Sequence, residues 1–195
     1  MYEIELKAHV HFPDNVSALL DNFATRLKDI EKDDVYYHCD EKNVTCRIRT
    51  ESFLPSNNFD KCETHSVFTY KRKNHFKNPD GILTEVNEEF ECVIEKSSAL
   101  EQFLLDLDFV VNLKKHKSVR QWIKETAFGK AHIELCNVEP LGYFLEIEFM
   151  TSDNSSNIVK NIHNEIKNIF SYCRIDESDI EERRYSEMLS CKLTE

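Results

Sequence analysis

The chain has little of what usually interrupts a fold. Among 195 residues there are three glycines and four prolines, too few for a linker-rich or low-complexity protein. No apolar run is long enough to span a membrane as a helix. The first residues, MYEIELKAHVHF, lack the basic start and apolar centre of a secretory leader. An excess of positive charge is also missing. The formal net charge is -11, which argues against the broad basic footprint of nonspecific nucleic-acid binding. Seven cysteines make an odd count without a CxxC pair, which argues against a disulfide framework or a zinc site. These absences lead us to expect a cytoplasmic protein with neither a nucleic-acid nor a membrane partner. A polyanionic small ligand stays compatible, because a local basic pocket or a bound cation overrides the global field.

What is present fits a folded globular chain, with 41% hydrophobic and 31% charged residues. The length suggests a single domain over 1–195. Period-two alternation predicts strands over Tyr2–Val10, Thr45–Thr50, Ser66–Lys73, Leu83–Ile94, Lys130–Cys136 and Gly142–Phe149, with shorter candidates at Val35–Cys39 and Lys114–Trp122. Helical spacing predicts four helices. One runs from Asp14 to about Ile30, with Val16, Leu19, Leu20, Phe23 and Leu27 on one face. The second opens on Ser98 and Glu101 as a capping box and runs through Leu107. The third spans Ser155–Phe170, and the last runs from Asp179 to about Leu189. Loops are expected at Pro55–Lys61, Asn78–Gly81 and Thr151–Ser156. Strands joined by short connections, with few helices, imply an α+β fold of antiparallel pairing with helices packed outside.

The polar faces of these strands are unusual. Opposite Ile4, Leu6 and Ala8 stand Glu3, Glu5, Lys7 and His9; opposite Cys46 and Ile48 stand Arg47 and Arg49. Phe68 and Tyr70 oppose Lys71 and Lys73, Phe90 and Cys92 oppose Glu89 and Glu91, and Leu145 and Ile147 oppose Glu146 and Glu148. Like charges two residues apart lie about 6.5–7 Å apart on one face, where they repel. Carboxylate pairs can share a hard cation, and Lys and Arg pairs can share phosphate oxygens. With 36 acidic residues, roughly six or seven acid-x-acid pairs arise by chance, and a solvated strand face is their ordinary meaning. The weight therefore lies in acid and basic pairs segregating strand by strand, always opposite an apolar face.

Read in order, these segments resemble a known family. Glu3-Ile4-Glu5-Leu6-Lys7 is similar to the ExExK signature of the CYTH, or triphosphate tunnel metalloenzyme, superfamily. Arg47-Ile48-Arg49 resembles its RxR strand, Phe68-Thr69-Tyr70-Lys71 its TxK strand, and Glu89-Phe90-Glu91 its second ExE. Lys115-His116-Lys117 resembles its KxR element, Leu141–Glu148 its closing LGxFxEIE strand, and Glu182–Leu189 its C-terminal SYxxLL helix. The resemblance covers nearly the whole chain and is nearest the class IV (CyaB-type) adenylate cyclase branch. Two departures stand out: Cys136 where the family carries Asp, and Lys117 where it carries Arg, a point charge in place of a bidentate fork.

The resemblance implies an eight-stranded antiparallel β-barrel, or tunnel, with helices outside. It implies Mg²⁺ or Mn²⁺ held by Glu3, Glu5, Glu146 and Glu148, with Glu89 and Glu91 contributing. It gives the triphosphate to Lys7, Arg47, Arg49, Lys71, Lys73, Lys115 and Lys117, with Arg120 as compensation for Lys117. The substrate would be a nucleoside triphosphate or another triphosphate. Three activities follow from one lining: cyclisation of ATP, hydrolysis of tripolyphosphate or thiamine triphosphate with Lys7 as candidate general base, and noncatalytic binding. His9 extends the first charged face, Tyr185 closes the tunnel or caps the core, and Trp122 belongs to the core or to a homodimer face.

Overall fold

A computed structural model describes residues 2–41, 44–54, 63–77 and 83–192, with the backbone alone described at 71–77, 83–89 and 191–192. The expected loops at Pro55–Lys61 and Asn78–Gly81 lie outside the described residues. The chain runs β1 (Tyr2–His9), α1 (Pro13–Leu20), β2 (Thr25–Arg26), β3 (Ile30–Cys39), β4 (Val44–Phe53), β5 (Glu63–Lys77) and β6 (Leu83–Ile94). It continues with α2 (Ser98–Asp106), β7 (Val110–Thr126), β8 (Gly129–Val138), β9 (Gly142–Thr151), α3 (Ser156–Tyr172), a 3-10 turn at Glu177–Asp179 and α4 (Tyr185–Lys192).

All pairings between these strands are antiparallel, in the order β2-β7-β3-β4-β5-β6-β1-β9-β8, and β7 also pairs with β8. The length of β7 makes this double pairing possible. Val110–Val119 pairs with β3, while Lys117–Thr126 pairs with β8. The eight long strands therefore form a closed cycle of neighbours, with the two-residue β2 as an addition beside β7. Gly142 opens β9 at φ +95°, a backbone conformation that suits a residue without Cβ, and so turns β8 back onto β9.

The main apolar core lies outside this cycle. Ile4 and Ala8 of β1, Ile133 and Leu135 of β8, and Leu145, Ile147 and Phe149 of β9 pack with Ile162, Ile166 and Ile169 of α3 and Leu20 of α1. The α3 residues recur at spacings of three and four, so one stripe meets the sheet. Fully burying one such side chain contributes about 1.5–3 kcal/mol. A smaller cluster joins Leu104 of α2 and Phe109 to Tyr37, Cys39, Cys46 and Ile48. Because side chains alternate across a strand, this packing sends Glu3, Glu5 and Lys7, and Glu146 and Glu148, to the opposite face.

Three helix expectations need correction. The first helix stops at Leu20 rather than near Ile30. There Asp21 accepts a hydrogen bond from Trp122 Nε1 at 2.7 Å, Arg26 stacks 4.5 Å from the Trp122 ring, and Thr25–Arg26 pairs with β7. Tertiary contacts with Trp122 thus override the helical spacing. The second helix has Ser97 at its N-cap with no side-chain capping bond, so the Ser98–Glu101 capping box does not form. The final segment is not one helix: Ile180 bridges to Ala8, and α4 begins only at Tyr185.

Candidate functional site

The charged strand faces meet in one cavity of roughly 690 Å³. Glu3, Glu5 and Lys7 enter it from β1, Arg47 and Arg49 from β4, Lys115 and Lys117 from β7, and Glu146 and Glu148 from β9; Glu91 lines it from β6. Strand register explains this meeting. Glu5 stands opposite Glu148 and Lys7 opposite Glu146 across β1 and β9. Lys71 and Glu89 are opposite one another across β5 and β6, but the side chains of Lys71, Lys73 and Glu89 are outside the described part.

Two cavity residues on β3 escape the alternation argument, Lys32 and Tyr36, and between them Asp34 is buried in the wall. Glu134 and His132 of β8, Gln121 of β7 and Thr69 of β5 join them, as do Glu51 of β4 and Arg184. Arg120 goes the other way. It follows Lys117 by an odd number of residues on β7, faces outward, and lies 3.4 Å from the exposed Asp14. It therefore does not compensate for Lys117. His9 does not line the cavity either; its Nε2 lies 3.2 Å from Glu181.

The cationic wall carries its own counter-charges. Arg49 donates from Nε to Asp34 Oδ1 at 2.6 Å and from Nη2 to Oδ2 at 3.1 Å, and Lys115 Nζ lies 3.1 Å from Asp34 Oδ2. Burial alone would push the Asp34 carboxyl up, but Arg49 and then Lys115 overcome it and hold it well below the usual carboxylate range. Lys32 donates to Glu134 at 2.6 Å, and Gln121 donates to the same oxygen at 2.6 Å. Lys117 donates to both oxygens of Glu146 at 2.7 Å, and the Tyr185 hydroxyl donates to Oε1. Against burial, Lys117 and Tyr185 hold the Glu146 carboxyl low, while Glu146 keeps the Lys117 ammonium charged.

Tyr185 occupies a junction. Its ring centroid lies 4.7 Å from Lys115 Nζ, 4.7 Å from Lys117 Nζ and 5.6 Å from Lys7 Nζ. Beyond it, Met188 packs with Val119, Cys136, Val138 and Phe144, so α4 sets an apolar plug beside the charged space. Cys136 belongs to that plug, and burial, then Glu146, push its thiol far above its ordinary value. The thiol there is kept neutral.

Comparison with known proteins identifies this arrangement. The CYTH domain model matches residues 1–185. The chain belongs to the CYTH family. Among solved structures it is similar to the PH1819 protein of Pyrococcus horikoshii, with 23% identity, a TM-score of 0.75, and coverage of 97% of this chain and 99% of that one. A putative adenylate cyclase of Vibrio parahaemolyticus matches at 18% identity and a TM-score of 0.72, covering 97% of this chain and 98% of the other. A Hippeastrum protein, described as a putative adenylyl cyclase with a dominant triphosphatase activity, matches at 17% identity and a TM-score of 0.60 over 100% and 96% of the two chains. At these identities the likeness is one of fold. No curated protein matches the chain. Among the described residues no helix is long and apolar enough to cross a membrane.

CYTH proteins are generally metal-dependent, and the donor set here fits a hard divalent cation. Carboxylate oxygens of Glu3, Glu5 and Glu148 lie within 4.8 Å of one another. All three are oxygen donors, which suits Mg²⁺ or Mn²⁺. Burial, then the nearby carboxylates of Glu3, Glu134 and Glu5, push the Glu148 carboxyl well above its ordinary value. A cation relieves that repulsion. Two expected members of the set are engaged elsewhere. Glu146 is held by Lys117 and Tyr185, and Glu91 accepts from Thr69 Oγ1 at 2.7 Å with Arg47 3.5 Å away.

Proposed function

We propose that this CYTH chain is a metal-dependent enzyme that binds a triphosphate inside its charged cavity, with ATP, converted to cyclic AMP and pyrophosphate, as the leading reaction. The observation that supports this reading is the opposition, in one cavity, of the Glu3, Glu5 and Glu148 carboxylates to Arg47, Arg49, Lys115 and Lys117. A metal-complexed polyphosphate carries both charges that such walls complement. On this reading residues 1–195 work as one domain, in the cytoplasm.

Phosphoryl transfer depends on positioning and charge neutralisation more than on covalent help from the protein. Held by Glu3, Glu5 and Glu148, Mg²⁺ or Mn²⁺ supplies neutralisation of phosphate-oxygen charge. Arg47 and Arg49 offer planar forks for phosphate oxygens, and Lys115 and Lys117 offer point charges. The Tyr185 ring lies 4.7 Å from both of these ammonium groups and 5.6 Å from that of Lys7. In cyclisation the ribose 3′-oxygen bonds to the α-phosphorus, the bond to the β-phosphate oxygen breaks, and the 3′-hydroxyl proton passes to solvent or a base.

A second reading is hydrolysis of tripolyphosphate or an organic triphosphate, and Lys7 favours it. Among the described residues no carboxylate oxygen lies within 4.0 Å of Lys7, whereas Lys32, Arg49, Lys115 and Lys117 each have one within 3.1 Å. On this reading Lys7 holds an attacking water or a terminal phosphate. Incubation with Mn²⁺ and either ATP or tripolyphosphate separates the alternatives. Cyclic AMP with pyrophosphate supports the first reading and orthophosphate the second. Binding without a product reduces the chain to a sensor, and neither binding nor product overturns the proposal.

A further inference from the structure

We infer that Asp34 is a positioning residue for this site, which fixes Arg49 and Lys115 as one rigid phosphate-receiving unit; the inference rests on the triphosphate reading above. Four observations carry it. First, strand register places Asp34 between its partners: Arg49 stands directly opposite on β4 and Lys115 directly opposite on β7. A single carboxylate thus spans three adjacent strands. Second, its two oxygens hold both cations, with Oδ2 shared between them. Oδ1 takes Arg49 Nε at 2.6 Å, while Oδ2 takes Arg49 Nη2 at 3.1 Å and Lys115 Nζ at 3.1 Å.

Third, Asp34 is 1% exposed and its side chain is fully buried, so it cannot itself meet a ligand in the open part of the cavity. Fourth, Tyr36 closes the unit from the same strand. Its hydroxyl accepts from Lys115 Nζ at 3.1 Å and lies 3.5 Å from Asp34 Oδ2.

The chemistry follows from donor geometry. Arginine has five N–H donors in a fixed fork. Asp34 engages the edge formed by Nε and Nη2, which fixes the plane of the guanidinium and leaves Nη1 to turn toward the cavity, where Glu51 is 3.9 Å away. Lysine lacks such a fork, and its flexible stem needs an external anchor. With one carboxylate between two cations the unit keeps a net charge of +1. It holds its shape before any anion arrives, so little side-chain freedom is lost on binding. Misplacement of a positioning group by about 1 Å costs on the order of 100-fold in rate.

The test uses the full-length chain with tripolyphosphate or ATP and Mn²⁺. Asp34→Asn keeps the shape and removes the charge that holds the fork. Positioning predicts a kcat about 10- to 100-fold lower, with the Kd for tripolyphosphate within about 3-fold of the parent, because both cations remain. It also predicts faster hydrogen exchange at Arg49 Nε–H. Asp34→Glu, which keeps the charge and shifts the carboxylate, should recover part of kcat. In Asp34→Asn/Arg49→Lys the combined loss should fall short of the sum of the singles, since one residue acts through the other. If Asp34→Asn does not fold, Asp34→Glu alone carries the test and should still lower kcat at unchanged Kd. A lower melting temperature with kcat and Arg49 exchange unchanged would overturn the inference and leave Asp34 a stabilising residue. If the parent chain neither binds nor turns over either triphosphate, the functional reading itself fails, whatever Arg49 exchange shows.

Discussion

The two walls of the cavity solve the problem of buried charge in opposite ways. On the β3–β4–β7 side, Asp34 lies between Arg49 and Lys115, so each charge meets its opposite within the chain. On the β1–β9 side, Glu3, Glu5 and Glu148 converge, and the Glu148 carboxyl is forced toward its protonated form by burial and by its neighbours. The first wall is complete as folded. The second gathers three carboxylate oxygens within reach of a single cation. Buried like charges are costly, so a cluster of this kind points to what binds there rather than to what holds the fold together.

That contrast predicts opposite outcomes from similar substitutions. Glu148→Gln should lower metal-dependent turnover by about 100- to 1000-fold, a cost near 3–4 kcal/mol in the barrier. In metal-free buffer it should leave stability unchanged or raise it by about 1 kcal/mol, because repulsion is relieved. Steady-state kinetics and chemical denaturation check the two halves. A loss of metal-free stability would break the comparison.

On the opposite wall, Lys117→Met should cost about 3–5 kcal/mol of stability, since it leaves Glu146 buried without its ammonium partner. Urea denaturation measures that loss. Tyr185 still donates to Glu146, so the double substitution with Tyr185→Phe should be less stable again.

The pH dependence of stability sharpens the same contrast. The Asp34 carboxyl titrates well below its unfolded value of about 3.9. Its contribution is therefore fully present above about pH 4 and is lost as the pH falls toward the folded value. Asp34→Asn should flatten the acid limb of the stability curve below about pH 4, with no change of slope near neutrality. A curve of unchanged shape would remove Asp34 from the account. The smallest effect is expected at Arg120, whose contact with Asp14 is exposed: Arg120→Ala should change stability by less than about 0.5 kcal/mol and leave triphosphate affinity within about 2-fold.

Much of this site is legible in the sequence because strand parity is a strong signal. Glu3, Glu5 and Lys7 were predictable from Ile4 and Ala8, and Glu146 and Glu148 from Leu145 and Ile147, since an apolar face against a helix leaves the other face to the interior. The same parity excludes Arg120, which alternates with Lys115 and Lys117; chemical similarity to a missing arginine is the weaker guide. Lys32 and Asp34 stay hidden because Glu31-Lys32-Asp33-Asp34 has no apolar residue to mark the face of a strand. Only pairing with both β4 and β7 makes a strand of it. Glu134 is a lone acid with no second carboxylate two residues away, so pair counting passes over it. The first helix fails as a prediction because Trp122, a hundred residues away in sequence, captures Asp21 and Arg26.

The central claim is that one cavity receives a metal-complexed triphosphate between two walls of opposite sign. Crystals grown with Mn²⁺ and tripolyphosphate test it most directly, through the anomalous signal of manganese. The account predicts a manganese peak among Glu3, Glu5 and Glu148, with phosphate oxygens on Arg49 and Lys115. Manganese bound elsewhere, or a triphosphate seated on the outer surface with these side chains still paired among themselves, would contradict it.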